Sequence, residues 1–218
     1  MSRRGNTRRW LQRHVSDPYV RQAQAQGYRS RASFKLLEID QRDRLLTPGA
    51  TVVDLGAAPG GWSQVAAERI GPRGRVVAVD LLDMGPLPGV EFIQGDFSEQ
   101  AVLDAMLALL PDGADLVMSD MAPNLTGVRD VDQPAALYLV ELALDFAVRV
   151  LNPRGALLVK CFEGAGSQEL RALFGRRFGQ VLVRKPDASR DRSREHYLIG
   201  RAMLPITPSH SADRSEES

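Results

Sequence analysis

The stretch ATVVDLGAAPGGWSQVAAERIGPRGRVVAVDL, residues 50–81, decides the fold class of this chain. The β-branched run over 50–56 predicts a strand that ends in a glycine-rich turn. Residues 62–70 predict a helix, which a Gly-Pro pair ends, and the apolar run over 75–81 predicts a second strand. A strand, a crossover helix and a strand in this order are typical of two parallel strands in one sheet.

The same alternation continues toward the C terminus. The further predicted strands cover 90–96, 114–120, 154–162, 180–186 and 194–201, and the further predicted helices cover 98–110, 133–151 and 167–178. We expect Ser98 to cap the first of these helices and Asn152-Pro153 to stop the second. No helix separates the last two strands, so they are expected to pair antiparallel. The pattern predicts a doubly wound, Rossmann-like α/β domain with a seven-stranded, mostly parallel sheet, one antiparallel strand and helices on both faces.

The two ends of the chain differ from this alternating part. Residues 1–27 are polar and rich in Arg and Gln, so they form either a flexible basic arm or an arm with a short helix around 18–26. Helical spacing over 30–46 predicts the helix that precedes the first strand. Residues 205–218 are polar and predict a disordered tail. We therefore expect one domain, over 28–204, between the arm and the tail.

Length and composition exclude several classes of protein. The chain has 218 residues, of which 44% are hydrophobic and 25% charged, as in one globular domain. Its single cysteine, Cys161, excludes an intrachain disulfide, and its 3 histidines lack metal-ligand spacing. No apolar run approaches the roughly 20 residues that span a bilayer, and the first residues lack the apolar stretch of a secretion signal. We expect a soluble, cytoplasmic monomer without a metal ion.

Charge is distributed unevenly along the chain. Residues 1–35 hold nine basic side chains and one acid, whereas residues 76–148 hold thirteen acids and one base. Residues 184–201 are basic again. This separation predicts one surface that faces a polyanion, although the first residues alone are equally typical of a solvated tail.

Lysine is rare in this sequence. Of the 28 basic residues, 25 are arginines and three are lysines, at positions 35, 160 and 185. Arginine stays protonated in proteins, whereas lysine can lose its proton. A retained lysine can therefore mark a proton-transfer task, unless the count is an accident of composition.

Acidic residues follow four predicted strands, namely Asp54, Asp80, Asp96 and Asp120. Ligands of open α/β sheets bind at this carboxyl edge. The loop DLGAAPGGW allows close backbone approach, but it is not the G-x-G-x-x-G of dinucleotide sites, and the acids disfavour a phosphate. Acids suit a ribose diol, an ammonium group and a sulfonium. The pattern favours S-adenosylmethionine, with Asp80 on its ribose, over a nicotinamide cofactor or a purely structural turn.

Two lysines and two carboxylates are candidates for the chemistry. Asp120 and Lys160 end neighbouring predicted strands, so both are expected to face the crevice. With Lys35 and Glu195 they would form a coupled cluster that can hold one lysine as a base. Taken singly, each of these residues is more commonly a solvated surface charge.

Six stretches carry a resemblance to a known family: SRASFKLLEID, VVDLGAAPGGWSQV, GDF, SDMAPNLTG, LLVKCF and VRKPDASRDRSREHYLIG, spread over residues 28–201. In this combination the chain resembles the FtsJ/RrmJ family of 23S ribosomal RNA 2'-O-ribose methyltransferases, and its compact length resembles the bacterial members. The resemblance implies the class I S-adenosylmethionine-dependent methyltransferase fold, with S-adenosylmethionine as methyl donor and no metal.

The resemblance also implies the roles of individual residues. The catalytic set falls on Lys35, Asp120, Lys160 and Glu195. The donor contacts fall on Gly60, Trp62, Asp80, Asp96 and Asp120. The implied target is a uridine in the A-loop of 23S rRNA, in the assembled 50S subunit.

For the reaction, we assign Lys160 as the proton acceptor beside Asp120, with Lys35 and Glu195 orienting the ribose. The RNA is expected to lie across Lys35, Arg31, Arg29, the N-terminal arm and the 184–194 loop.

Other interpretations stay open at this point. The substrate could be another RNA, such as a tRNA anticodon loop. A non-catalytic ribosome-assembly factor could share the fold, although the chain keeps all four catalytic positions. A cytosine-5 methyltransferase would need a cysteine nucleophile, but Cys161 follows Lys160 in a strand and is expected to face a helix layer as an inert thiol. A dehydrogenase would bind NADH instead of the methyl donor.

Overall fold

The computed structural model describes residues 17–123, 126–164, 166–189 and 194–205. Most of the predicted arm, nearly all of the predicted tail and part of the loop before the last strand lie outside these residues. The helices are α1 (Pro18–Gln26), α2 (Ala32–Asp43), α3 (Gly61–Ile70), α4 (Gln100–Ala108), α5 (Arg129–Val150) and α6 (Ser167–Arg177). The strands are β1 (Thr51–Leu55), β2 (Arg75–Asp80), β3 (Val90–Gln94), β4 (Ala114–Ser119), β5 (Leu151–Phe162), β6 (Phe178–Arg184) and β7 (Glu195–Met203).

In the described part of the chain, seven strands form one sheet in the order β3-β2-β1-β4-β5-β7-β6. The pairs β1–β2, β2–β3, β1–β4 and β4–β5 are parallel, whereas β7 runs antiparallel to both of its neighbours, β5 and β6. This confirms the predicted fold class. The chain order reverses at β1 and β4, which places the switch point of the sheet between these two strands.

Two apolar layers cover the sheet because successive strand residues point to opposite faces. On one face, Val53, Val117 and Leu157 pack with residues of α4, α5 and α6. On the other face, Val52 and Leu158 pack with residues of α2 and α3. The near-continuous apolar runs of the central strands follow from this burial on both sides.

Of the two alternatives for the N-terminal arm, the structure shows the short helix, which is α1. The Asp17 carboxylate accepts a hydrogen bond from the backbone N–H of Tyr19 at the N terminus, and Gly27 ends the helix with φ of 74°. Val20 and Ala23 of this helix are buried. Ala23 packs with Phe34 of α2 and with Ala188 of the β6–β7 connection in a small separate core.

The predicted start of α5 was wrong, whereas its end lies within one residue of the predicted residue 151. The helix begins at Arg129, earlier than the predicted residue 133. The Asp132 carboxylate accepts the backbone N–H groups of Thr126 at 2.8 Å and Gly127 at 3.0 Å, which fixes an additional first turn. At the other end, Asn152-Pro153 lies within β5 and not in a turn, because α5 passes directly into the strand.

The prediction that Ser98 caps α4 was also wrong. The helix starts at Gln100, with Glu99 at the N-cap position. Ser98 donates its hydroxyl and its backbone N–H to Oδ1 of Asp96, at 2.7 and 2.9 Å. The serine therefore orders the loop after β3 instead of the helix.

None of the helices in the described ranges is long and apolar enough to cross a membrane.

Two glycine-to-alanine variants test the packing of β7. A Cβ atom at Gly200 would come within 2.3 Å of the Phe178 ring, whereas one at Gly175 in α6 would meet nothing within 4 Å. We expect Gly200→Ala to lower the free energy of unfolding by about 1–3 kcal/mol, because the ring must move. The matched Gly175→Ala should raise it by up to about 1 kcal/mol, because alanine favours a helix. Urea denaturation of both variants measures the difference, and equal effects would contradict this account.

Candidate active site

A cleft of about 370 Å³ opens at the carboxyl edge of the sheet. Its walls come from the loops that follow β1, β2, β3 and β4 and from α5. The lining includes Gly56, Asp80, Asp96, Asp120, Met121 and Tyr138. The volume is within the range of small-molecule sites, and the position is where a doubly wound sheet binds its ligand.

Two of the predicted donor contacts, Asp80 and Asp96, line this cleft with ordered carboxylates. Asp80 accepts the backbone N–H of Ala58 at 2.9 Å and that of Leu82 at 2.8 Å. The bonds from Ser98 hold the pKa of Asp96 below its usual value. A carboxylate has about four acceptor positions, so both side chains retain positions for the hydroxyl or amino groups of a ligand.

Gly56 brings the first loop close to the cleft. Its φ of 75° is in the left-handed region, and a Cβ atom there would lie 2.2 Å from Cγ of Met121. Only glycine fits both requirements. The β1 and β4 loops therefore meet at the switch point.

Of the five predicted donor contacts, Asp120 also lines the cleft, whereas Gly60 and Trp62 are not among its lining residues. The Trp62 side chain is buried in the α2–α3 layer, where Nε1 donates to the Ala32 carbonyl at 2.8 Å. Its ring lies 5.7 Å from that of Tyr197, measured between centroids. Gly60 is at the N-cap of α3, against Arg29. Contact of a donor with Gly60 or Trp62 stays a prediction.

The structure brings all four predicted catalytic residues together. Lys160 Nζ lies 3.0 Å from Oδ1 of Asp120 and 2.6 Å from its backbone oxygen. Lys35 Nζ lies 2.6 Å from Oε1 of Glu195 and 3.9 Å from Oδ1 of Asp120. Between 8% and 19% of each side chain is exposed. The two cations and two carboxylates alternate, which compensates four charges in a poorly solvated position.

Burial and the neighbouring ammonium of Lys35 act on the pKa of Glu195 in opposite directions, and the ammonium prevails. Desolvation alone would raise the pKa of Glu195, but the charge and hydrogen bond of Lys35 hold it below its usual value. Glu195 is therefore ionised, as its ion pair requires.

Sequence reasoning missed Tyr197. Its hydroxyl donates to Oδ1 of Asp120 at 2.7 Å, and the residue pairs directly with Lys160 across β5 and β7. Burial, with the carboxylates of Asp120 and Glu195, raises the pKa of Tyr197 well above 10, so the phenol remains a hydrogen-bond donor. A tyrosine two residues after Glu195 shares its strand face, which was the available signal.

Cys161 lies on the opposite face of the sheet from this cluster, as predicted. It is buried in the layer of α5 and α6, and its pKa is raised to about 12, mainly by burial. The thiolate needed by a nucleophile is disfavoured there. This position removes the cytosine-5 interpretation.

Two arginines predicted to contact RNA have partners within the protein. The Arg31 guanidinium pairs with the Asp17 carboxylate and donates to the Ala188 carbonyl. Arg29 donates to carbonyl oxygens of the loops after β1 and β2. The residues that the structure describes contain no group of three or more His, Cys, Asp or Glu arranged to hold a metal ion.

Comparison with known proteins identifies the family. The model of the FtsJ-like methyltransferase family matches residues 28–203. The chain belongs to this family. A relative named ribosomal RNA large subunit methyltransferase E, from Alkalilimnicola ehrlichii, is 62% identical over 202 residues, which cover 92% of this chain and 97% of that protein. The protein of the same name from Marinobacter nauticus is 58% identical over 205 residues, which cover 93% and 99%.

A solved structure supports the same assignment. The crystal structure of a protein described as a ribosomal RNA methyltransferase, from Plasmodium falciparum, is 30% identical to this FtsJ-like methyltransferase. The match covers 81% of this chain and 99% of that one, with a TM-score of 0.73.

Asp54 gives this FtsJ-like methyltransferase a pH-dependent stability. Its carboxyl is fully buried in β1 and accepts the Ser63 hydroxyl at 2.6 Å. Burial, with smaller contributions from Asp120 and Asp80, raises its pKa from 3.8 to about 7. The folded state therefore holds a proton that the unfolded state releases. The contribution of Asp54 to the free energy of unfolding is fully present below pH 3.8. It decreases as the pH rises from 3.8 to about 7 and is absent above that value.

We expect Asp54→Asn to remove that dependence, because the amide oxygen still accepts the Ser63 hydroxyl and does not titrate. Between pH 4.5 and 7.5, roughly, the wild type should lose about 3 kcal/mol from this group, and the variant should not. Urea unfolding across a pH series measures the two slopes. Parallel slopes would show that Asp54 is ionised in the folded protein throughout.

Tyr197→Phe tests the hydrogen bond to Asp120 while keeping the ring against Trp62. We expect methyl transfer to slow roughly tenfold, because Asp120 loses one of the donors that fix it beside Lys160. Affinity for the methyl donor should stay within about twofold of wild type, since Tyr197 does not line the cleft. Single-turnover rates and donor titrations measure both. Wild-type turnover in the variant would show that Lys160 positions Asp120 without the tyrosine.

Proposed function

We propose that this protein transfers the methyl group of S-adenosylmethionine to a ribose 2'-OH of 23S ribosomal RNA, at the A-loop uridine of the 50S subunit, in the cytoplasm. The observation that carries the proposal is the double position of Asp120, which lines the cleft and also pairs with Lys160. The cleft and the buried cluster are thus adjacent parts of one site. The names of the relatives from Alkalilimnicola ehrlichii and Marinobacter nauticus support a large-subunit rRNA as the substrate.

The chemistry of the cleft fits the proposed donor. Among the described residues that line the cleft there are carboxylates and no lysine or arginine, which favours hydroxyl and amino groups and disfavours a dinucleotide phosphate. Asp80 would hold the ribose hydroxyls, with Asp96 and Asp120 at the neighbouring strand ends. When bound, the donor supplies a methyl group on a positively charged sulfur. No metal takes part in this proposal.

In the proposed reaction Lys160 first releases one ammonium proton to solvent. The resulting amine then accepts the proton of the 2'-OH as the new bond from oxygen to the methyl carbon forms and the carbon–sulfur bond breaks. The resulting ammonium is stabilised by the Asp120 carboxylate and backbone oxygen, both already within hydrogen-bond distance. Lys35 and Glu195, held together at 2.6 Å, orient the ribose beside Lys160. Most of the acceleration comes from this in-line alignment and from the provision for one proton.

The rRNA binds through its phosphates to the basic arm and the 184–194 loop, whereas its folded structure provides most of the selection. Arg29 and Arg31 contribute less than the sequence suggested, because both guanidinium groups have partners within the protein. The protein acts as a monomer in this proposal.

Lys160 variants test the function and the mechanism together. Purified protein is incubated with isotope-labelled S-adenosylmethionine and with 50S particles from a strain that lacks the gene. We expect the label in a single 2'-O-methyluridine of 23S rRNA after nuclease digestion. Lys160→Arg should lose nearly as much single-turnover rate as Lys160→Ala, about 100-fold or more, because arginine keeps the charge but cannot release a proton near neutral pH.

The outcomes separate the parts of the proposal. Label in a base of the 50S RNA, or label in tRNA from the same strain when it replaces the 50S particles, would overturn the assigned substrate. Absence of transfer to any RNA, with the donor bound, would favour a non-catalytic assembly factor. Near wild-type turnover of Lys160→Arg would leave the substrate intact but remove Lys160 as the base.

A further inference from the structure

We propose that Arg29 is a positioning residue for the methyl donor, because its guanidinium joins the two loops that form one wall of the cleft. The inference rests on the proposed donor and reassigns a residue that the sequence placed on the RNA surface.

The contacts of the Arg29 side chain are all with backbone carbonyls of two loops. Nη1 donates to the Gly85 carbonyl at 2.6 Å and to the Pro59 carbonyl at 3.3 Å, and Nη2 donates to the Pro86 carbonyl at 2.7 Å. Pro59 belongs to the loop after β1, and Gly85-Pro86 belong to the loop after β2. One planar group therefore bridges segments that come from different strands.

The same two loops supply lining residues of the cleft. Gly56 and Ala58 come from the loop after β1, and Asp80 and Leu81 stand at the start of the loop after β2. Asp80 already joins the loops through the Ala58 N–H at 2.9 Å. Arg29 provides the second connection, so the separation of the loops is fixed at two places.

Close packing between the loops makes this separation sensitive. A Cβ atom at Gly60 would lie 2.8 Å from Sδ of Met84, 3.0 Å from Cδ1 of Leu87 and 3.1 Å from Nη1 of Arg29. Met84 is buried, and it packs with Ala57 of the first loop. The Met84 thioether and the Arg29 guanidinium thus fill the space between the loops. Without the guanidinium, the carbonyls of Pro59, Gly85 and Pro86 lose the hydrogen-bond donor that joins them.

Arg29 is itself anchored to a rigid element. Its backbone N–H donates to Oε1 of Gln64 in α3 at 3.1 Å, and Nε2 of Gln64 donates to the Gly27 carbonyl at 3.0 Å. The guanidinium therefore projects from a fixed backbone. Arginine has five donors in a rigid plane, and a lysine ammonium at this position cannot bond the same three carbonyls in that geometry.

Donor affinity of Arg29 variants tests the inference. The probe is S-adenosylhomocysteine, titrated by calorimetry into wild type, Arg29→Ala, Arg29→Lys and the control Arg73→Ala. Arg73 is an exposed arginine in the turn before β2, at the opposite edge of the sheet. We expect the dissociation constant to rise about tenfold in Arg29→Ala, an effect of the size of one charge-assisted hydrogen bond. In Arg29→Lys it should rise by a smaller factor. Arg73→Ala should bind as wild type does.

Two further measurements distinguish positioning from other roles. In ligand-free Arg29→Ala, amide hydrogen exchange should accelerate in residues 56–60 and 81–89 and stay unchanged in β5 and β7. The affinity for rRNA fragments and its salt dependence should match wild type, and the Michaelis constant for the donor should rise more than the turnover number falls.

Several results would overturn the inference. Wild-type donor affinity in Arg29→Ala, or in Arg29→Lys if the alanine variant fails to fold, removes the positioning role. Weaker RNA binding with a reduced salt dependence and unchanged donor affinity returns Arg29 to the RNA surface. Faster exchange over the whole sheet makes it a general stability residue. If wild type itself does not bind S-adenosylhomocysteine, the proposed donor fails, and the exchange measurement still decides whether Arg29 braces the loops.

Discussion

The ammonium group of Lys160 lies 2.6 Å from the backbone oxygen and 3.0 Å from Oδ1 of Asp120, with only 8% and 19% of the two side chains exposed. Desolvation of a charge in such a position costs several kcal/mol unless an opposite charge lies beside it. The buried pair therefore constrains which other charged side chains can stand next to it. Lys35 and Glu195 extend it into an alternating set, and the Tyr197 hydroxyl occupies a further acceptor position of Asp120. The charges of the cluster compensate one another within the protein, which pre-organises these side chains for alignment of a substrate.

The antiparallel strand makes this arrangement possible. In a parallel sheet, residues at the carboxyl ends of the strands share one edge, which accounts for Asp120 after β4 and Lys160 in β5. Because β7 runs the other way, its first residues reach the same edge, and Glu195 pairs with Phe162 while Tyr197 pairs with Lys160. A parallel strand in this position would place those two side chains at the opposite edge. The insertion of β7 between β5 and β6 therefore completes the cluster.

The cleft and the cluster share Asp120, and different segments of the chain hold each of them in place. The segment before α2 provides the connection: Arg29 bonds the loops of the cleft, and Arg31 bonds Asp17 of the α1 cap and the Ala188 carbonyl of the β6–β7 connection. Arg29 and Arg31, which the sequence assigns to phosphate binding, thus donate hydrogen bonds to other residues of the protein. This coupling gives the N-terminal segment a part in the proposed donor binding as well as in the proposed contact with RNA.

Local patterns in the sequence determined the alternation of strands and helices, the antiparallel end of the sheet, the acids at the strand ends and the burial of Cys161. These features depend on periods of two and 3.6 residues and on strand order, which neighbouring residues specify. The resemblance added the catalytic roles of the four candidate residues, and in the structure each of them lies within 3.9 Å of the next one in the cluster. Only the tertiary structure decided the partners of Arg29, the contact of Trp62 with Tyr197 and the hydrogen bond from Tyr197 to Asp120. Those contacts join segments far apart in the chain, and an arginine has the same local pattern whether its donors meet a phosphate or a carbonyl of its own protein.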